Sequence, residues 1–385
     1  MIPAGTRWLQ DEDAQRVCRV VEDGGHRIYF VGGCVRDALL GLPDSDVDLS
    51  TDAAPQEVMA LAKAAGVKAV PTGIDHGTVT LVSGGKPFEI TTFRRDVETD
   101  GRRAVVAFST DIAEDARRRD FTMNALYATP QGRVIDPLEG LADLEARRLR
   151  FIEDAGRRIR EDYLRTLRYF RFMAWYGDPE TGPDPEALDA IASNLDGLET
   201  LSAERVGQEI RKLLRAPDPA PALALMRQTG VLPVVLRGGD DRWIAMMVHF
   251  EQSLGLAPDW ICRLAALGGE GVDQRLRLSK AEAKYLALLQ EVGFAGPSLP
   301  ELAYRHGAEL ARAAALLRGC LAEEMPEPSV LETIQKAAEA RFPVKAKDLM
   351  PRFQGPELGA EIARLEGLWI ASDFTLDRDA LLDGR

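Results

Sequence analysis

Residues 30–51 read FVGGCVRDALLGLPDSDVDLST. A strand-like apolar start runs into Gly32-Gly33, a helix-like stretch carries Arg36, and Asp46-Val47-Asp48 closes the segment. A strand, a Gly-Gly turn and a helix start let backbone N–H groups approach an anion closely, as phosphate-binding turns do. Arg36, one helical step on, adds a charged fork for the same anion. The plainer reading of the glycines is a tight strand-to-helix connection that needs positive φ. Side chains two apart on a strand share a face, so Asp46 and Asp48 present two carboxylates together while Val47 faces the core. Such a pair is costly without a cation. Hard oxygen ligands on a partly open platform suit Mg²⁺ bridging to substrate phosphates. By itself a DxD is more often a polar loop than a metal site. Glycine turn, arginine and carboxylates within seventeen residues instead form one triphosphate-plus-metal constellation.

The rest of the chain sets limits on that reading. Its 385 residues exceed one typical core, so two or three domains are expected. A content of 45% hydrophobic and 28% charged residues excludes a disordered or fibrous chain. No apolar run reaches the ~18–20 residues of a membrane span, and the N-terminus lacks the basic-then-apolar pattern of a signal peptide. Cys18, Cys34, Cys262 and Cys320 lie far apart with no CxxC pair, which argues against a zinc site or disulfide framework and predicts reduced thiols in a cytoplasmic protein. The net charge of −13 would exclude a nucleic-acid partner only if charge were evenly spread. Arginines cluster at 94–95, 102–103, 117–119, 147–148 and 157–158, so composition leaves the partner open.

Period-two apolar segments at RIYFVGG, VTLV, FEITTF and GRVID predict strands. PQEVMALAKAAG predicts a helix with Pro55 in its first turn, Thr51 or Asp52 as its cap and Gly66 as its stop. From about Phe151 the β signal fades and helix follows helix, separated by Pro/Gly punctuation such as YGDPETGPDPE and RAPDPAP. The expected fold class is α+β, with a mixed α/β head over 1–150, a helical neck over 151–215 and a helical body and tail over 216–385.

GGCVRDALLGLPDSDVDLST resembles the active-site signature of the DNA polymerase β nucleotidyltransferase superfamily. More narrowly, it resembles the class II tRNA nucleotidyltransferases (CCA-adding enzymes) and the bacterial poly(A) polymerases. The resemblance extends to about residue 215. It implies a small polymerase-β-type head, a mixed sheet with helices, in which Asp46 and Asp48 are catalytic and hold Mg²⁺. Gly32, Gly33 and Arg36 would meet the phosphates of the nucleotide. FEITTFR implies Glu89 as a third catalytic carboxylate, with an edge-strand glutamate in water as the equal alternative. RRRDFTMNAL, residues 117–126, resembles the segment that holds ribose and triphosphate: Arg119 on phosphate, Asp120 on the sugar hydroxyls, Asn124 fixing the loop. Without the resemblance, RRRD reads as a solvated charge run.

In IREDYLRTLRYFRF, residues 159–172, Leu164, Leu167 and Phe170 recur at helical spacing as a core stripe. Asp162 and Arg165 lie three apart, close enough on one helix to touch one flat object. A carboxylate accepts from an exocyclic amine and a guanidinium donates to a ring nitrogen or carbonyl, so the pair could read cytosine or adenine. Taken alone, it is more simply a salt bridge. The resemblance implies base selection by Asp162 and Arg165, with Arg168 and Arg171 also on the nucleotide. In one straight helix, however, Arg171 lies about half a revolution from Asp162. LSAERVGQEIRKLL, residues 201–214, resembles the family's neck helix, with Ser202 as its cap and Val206, Ile210, Leu213 and Leu214 as its buried ladder.

Within the family, VPTGIDHGTVTLV resembles the CCA-enzyme form, and RRDVETDGRRAVVAFS (94–109) resembles the flexible loop that full CCA addition needs. None of the four histidines precedes an aspartate, so the HD phosphohydrolase domain of some relatives is not expected. The expected activity is CCA addition to the tRNA 3′ end from CTP and ATP. Poly(A) polymerase or a partial CC- or A-adding enzyme is the alternative, and a catalytically silent RNA-binding protein is the alternative of another class. Oligomeric state is not legible.

Overall fold

The period-two segments assemble into a seven-stranded mixed sheet in the computed structural model, which describes residues 1–43, 46–100 and 103–383, with the side chains of 96–100 and 103–105 excepted. The strands are β1 (Ile28–Val31), β2 (Asp48–Thr51), β3 (Lys68–Gly73), β4 (Thr78–Ser83), β5 (Lys86–Thr92), β6 (Arg94–Asp100), β7 (Arg103–Phe108), β8 (Tyr127–Ala128) and β9 (Val134–Ile135). The sheet order is β3-β4-β5-β2-β1-β8-β9. Every neighbouring pair is antiparallel except β2 and β5, which run parallel with Asp48 opposite Glu89 and Leu49 opposite Ile90. Alternation along these two strands buries Leu49 and Ile90 and leaves Asp48 and Glu89 exposed.

Helices Glu12–Glu22 and Pro55–Ala64 pack on one another and on β4. The second begins with Pro55 as expected, but neither Thr51 nor Asp52 caps it. The Glu57 carboxylate reaches back to the Ala54 N–H at 2.8 Å. Asp52 instead accepts from the backbone N–H of Arg27 at 2.8 Å and from its Nε at 2.6 Å. The stretch expected as a loop over 94–109 is built mainly as a separate two-stranded antiparallel ribbon, β6 with β7, Arg94 facing Phe108. Its residues 101 and 102 lie outside the described residues.

The segment 159–172 is not one helix. Helix Ala155–Glu161 ends at Asp162, whose φ of −155° is extended, and a new helix runs Leu164–Tyr176. Asp162 Oδ1 accepts the Leu164 N–H at 3.1 Å, an Asx turn that starts the second helix. Leu164, Leu167 and Phe170 are buried, as their spacing predicts. The neck helix spans Ala203–Leu214, with Ser202 Oγ accepting the Arg205 N–H at 3.4 Å and Val206, Ile210, Leu213 and Leu214 all buried.

The chain divides into two compact units, Met1–Leu213 with Pro221–Val235, and Leu214–Ala220 with Leu236–Arg385. The described part of the second unit is helical. At its centre Arg263, 1% exposed, pairs with Glu251 and donates from Nη1 to the carbonyls of Leu214 at 2.7 Å and Ala216 at 2.6 Å. Near its end Trp369 packs with Tyr304, Phe342 and Phe374, consistent with a core anchor. No helix among the described residues is long and apolar enough to cross a membrane.

Candidate functional site

The glycine turn connects β1 to helix Gly33–Leu39. Gly32 has φ +72° and ψ −121°, a conformation that only glycine adopts without strain. Its N–H donates to the Leu126 carbonyl at 3.1 Å. A Cβ on Gly32 would lie 3.5 Å from Arg119 Nη1 and 3.8 Å from the Asn124 carbonyl oxygen, so the turn rests against the 119–124 segment. Two distant stretches of sequence, GGCVR and RRRDFTMN, therefore meet at one place.

Arg119 is held there by a buried frame. Its Nη2 donates to Asp115 Oδ2 at 3.0 Å and Ser50 Oγ at 3.4 Å, and its Nε to the Tyr127 hydroxyl at 3.1 Å. Tyr127 in turn donates to Asp115 Oδ2 at 2.7 Å. Burial alone would raise the Asp115 carboxyl, but the Arg119 and Arg118 guanidiniums and the Tyr127 hydroxyl bring it down to about 2. Sequence reasoning missed Asp115, Tyr127 and Ser50. The spacing of Asp115 to Arg118 and Arg119, three and four residues along one turn, was the available signal.

The carboxylates gather mid-sheet, on and just before the adjoining strands β2 and β5, beside this frame. Asp48 opens β2 and shares its register with Glu89, so the two side chains emerge on one face. Asp46 precedes the strand rather than lying in it, which corrects the expectation that both aspartates alternate along one strand. The Asp48 carboxyl is raised above its ordinary range, first by desolvation from the surrounding protein and then by the Glu89 and Asp46 charges, against the pull of Arg119. That is the electrostatic signature of carboxylates short of positive charge, and a hard divalent cation fits it. Among the described residues no three or more His, Cys, Asp or Glu side chains form a ready cage.

The remaining expected residues meet one another. Arg36 is buried, donating from Nε to Asp37 Oδ1 at 2.8 Å, from Nη1 to Asn124 Oδ1 at 2.6 Å and from Nη2 to the Tyr176 hydroxyl at 2.7 Å. The fork expected to face phosphate is turned inward. Asp120 accepts from Asn124 Nδ2 at 3.0 Å, from the Phe121 N–H at 2.9 Å and from Arg168 Nε at 2.7 Å. Burial works to raise its carboxyl, yet Arg168 and Asn124 drive it far below the ordinary carboxylate range. Asp162 does not pair with Arg165, since its Oδ2 accepts from Arg205 Nη2 at 2.7 Å. Arg165 donates to Glu161 at 2.7 Å and to the carbonyls of Arg158 and Arg118, each at 3.0 Å. Arg171 pairs with the buried Glu209 at 2.6 Å. The neck helix therefore supplies Arg205 and Glu209, one turn apart, to two of the expected base-facing positions.

Residues 28–150 match the family described as the poly A polymerase head domain, and residues 183–241 match the one described as a probable RNA and SrmB-binding site of polymerase A. Mouse mitochondrial CCA tRNA nucleotidyltransferase 1 is 34% identical over 93% of this chain and 86% of that protein. The chain belongs to the CCA tRNA nucleotidyltransferases of the poly(A) polymerase family. The CCA-adding enzyme of Geobacillus stearothermophilus is 40% identical over 57% of this chain and 53% of its own length. A solved Bacillus stearothermophilus CCA-adding enzyme in complex with CTP superposes with TM-score 0.74 and 28% identity, covering 94% of this chain and 93% of that one. Thermotoga maritima CCA-adding enzyme complexed with tRNA shares the fold, with TM-score 0.70 at 19% identity over 98% of this chain and 97% of that one. Membership makes the chain a nucleotidyltransferase and carries dependence on a divalent metal.

Proposed function

We infer that this protein adds C, C and A to tRNA 3′ ends from CTP and ATP without a nucleic-acid template. The observation that carries this is the likeness to a named CCA tRNA nucleotidyltransferase along nearly the whole of both chains. Asp46 and Asp48 would hold the divalent ions, Mg²⁺ in this reading, with Glu89 beside them. Bound there, the ions supply Lewis-acid activation of the tRNA 3′-hydroxyl and neutralise charge on the triphosphate. The 3′-hydroxyl passes its proton to a neighbouring carboxylate or to water as its oxygen attacks the α-phosphorus, the bond to the bridging oxygen breaks, and pyrophosphate leaves.

The protein's own part is positioning. The Gly32–Gly33 turn and Arg119, already fixed by Asp115 and Tyr127, offer the triphosphate a site that needs no rearrangement. Asp120 and Asn124 hold the adjacent loop, with Arg36 and Arg168 bracing them. Asp162 and Arg165 read the base, trading their bonds to Arg205, Glu161 and backbone carbonyls for bonds to the Watson–Crick edge. Arg171 then acts from the Glu209 side of the same helix. The three domains of this reading are a catalytic head over 1–150, a selecting neck over 151–215 and a tRNA-binding body and tail over 216–385. Its place is the cytoplasm, consistent with four buried free thiols.

The test is purified protein with Mg²⁺, single nucleoside triphosphates and then CTP plus ATP, on tRNA transcripts ending at the discriminator base. Three additions requiring CTP before ATP, absent in an Asp46→Ala, Asp48→Ala variant, are expected. A long A ladder would replace this reading with a poly(A) polymerase, two additions with a CC-adding enzyme, and no addition with a silent RNA-binding protein.

A further inference from the structure

Tyr176 closes the helix Leu164–Tyr176. Its hydroxyl accepts from Arg36 Nη2 at 2.7 Å, and its ring lies 4.0 Å below the Arg36 guanidinium carbon. Phe172, one turn earlier, sits 5.0 Å from the same carbon. The guanidinium is thus stacked on aromatic rings and bonded on all three nitrogens. Its placement has a chemical consequence for Asn124. Because Oδ1 of that amide accepts from a charged donor, Nδ2 must face the other way, toward the acceptor-only carboxylate of Asp120. Asp120 is then filled on Oδ1 by Asn124 and the Phe121 N–H, and its Oδ2 is left to Arg168. The relay Tyr176–Arg36–Asn124–Asp120–Arg168 leaves the helix at one residue and returns to it at another. Between those points it passes through the glycine-turn helix and the 119–124 segment.

We propose that Tyr176 is a positioning residue for nucleotide binding, setting the Arg36 guanidinium and through it the amide orientation of Asn124 and the Asp120 carboxylate that Arg168 meets. The inference rests on the nucleotidyltransferase reading, and it assigns to Tyr176 no contact with substrate. Removing the hydroxyl takes away one of the two partners of Arg36 Nη2, leaving it Asp37 Oδ1 at 2.8 Å. Removing the ring as well frees the guanidinium to turn, and an inverted Asn124 amide would set oxygen against the Asp120 carboxylate.

Tyr176→Phe and Tyr176→Leu are compared with wild type in CTP binding by calorimetry, in KM and kcat for CTP and ATP, in tRNA affinity and in thermal midpoint. The Arg36 side-chain N–H resonance is followed by NMR as a report of ring stacking that does not depend on activity. Tyr176→Leu is expected to weaken CTP binding and raise KM for both nucleotides about tenfold, and Tyr176→Phe about threefold. In both, tRNA affinity stays at the wild-type value and the midpoint falls by only a few degrees, remaining well above the assay temperature, and the Arg36 resonance loses the Tyr176 share of its ring-current shift in the leucine variant alone. Wild-type CTP affinity in a leucine variant that has lost the stacking shift overturns the proposal. So does a loss of affinity that tracks the thermal midpoint. A wild-type protein that adds no nucleotide sinks the functional reading separately, and CTP calorimetry then still decides this one, with no CTP bound by wild type counting against both.

Discussion

Asp120→Asn tests the buried ion pair that ties the 119–124 segment to the helix Leu164–Tyr176. The Asp120 side chain is 8% exposed and that of Arg168 32% exposed. Breaking a buried pair from one side costs about 3–5 kcal/mol, because the abandoned charge stays desolvated. Arg168 is near a third exposed, so water recovers part of that, and about 2–3 kcal/mol is the reasoned loss. The amide is isosteric and can keep the bond from the Phe121 N–H, so shape contributes little. For a unit of this size, each kcal/mol moves the midpoint by about 2–4 °C, which gives a fall of roughly 5–10 °C. Differential scanning calorimetry at neutral pH reads it. Arg168→Met alone should cost a similar amount, since it strands the carboxylate. The double variant should be more stable than the sum of the two losses by about 2 kcal/mol. A midpoint shift below about 2 °C, or strict additivity in the double variant, would refute the view that these two charges are each other's compensation.

Gly32→Ala should destabilise the protein by about 1–3 kcal/mol through its backbone conformation alone, since a Cβ meets only ordinary contacts at 3.5 Å and beyond. Nucleotide addition should fall further than stability does, and an unchanged midpoint in thermal denaturation would contradict the strain argument. Asp48→Asn removes a carboxylate whose pKa is raised by desolvation and by Glu89 and Asp46. Such a group binds its proton more tightly folded than unfolded, so it withdraws stability as pH rises through that window. The variant should therefore lose nucleotide addition while its neutral-pH midpoint holds or rises, and Mg²⁺ should raise the midpoint of wild type but not of the variant. Asp115 has the opposite sign, its carboxyl lowered from 3.8 to about 2 by Arg119 and Arg118 against burial. Its stabilisation, about 2 kcal/mol, is complete above pH ~4 and lost as pH falls toward ~2, so an Asp115→Asn variant should show a shallower acid unfolding limb.

Several features were readable from local order alone. The Gly32–Gly33 turn, the stripe of Leu164, Leu167 and Phe170 and the Ser202 start of the neck helix follow from backbone conformation, helical period and a hydroxyl within one turn. The helix break at Asp162 had its own local signal, an aspartate two residues before Leu164. The apolar period on either side masked it because it continues across the gap. Asp46 fell outside β2 for a similar reason, since alternation in DSDVDLS cannot say where pairing with β1 and β5 begins.

What the sequence determined by itself is the inventory: a glycine turn, an arginine-rich chain, a carboxylate pair and a family signature, because these depend on residues close together along the chain. What only the tertiary structure decided is the pairing. Arg36 meets Tyr176, Arg168 meets Asp120, Arg171 meets Glu209, and Arg205 reaches Asp162, all across long stretches of chain. A guanidinium binds whichever carboxylate, hydroxyl or carbonyl the fold brings within about 3 Å. Sequence spacing carries that information only within a helical turn or two, and beyond it the packing of strands and helices chooses the partner.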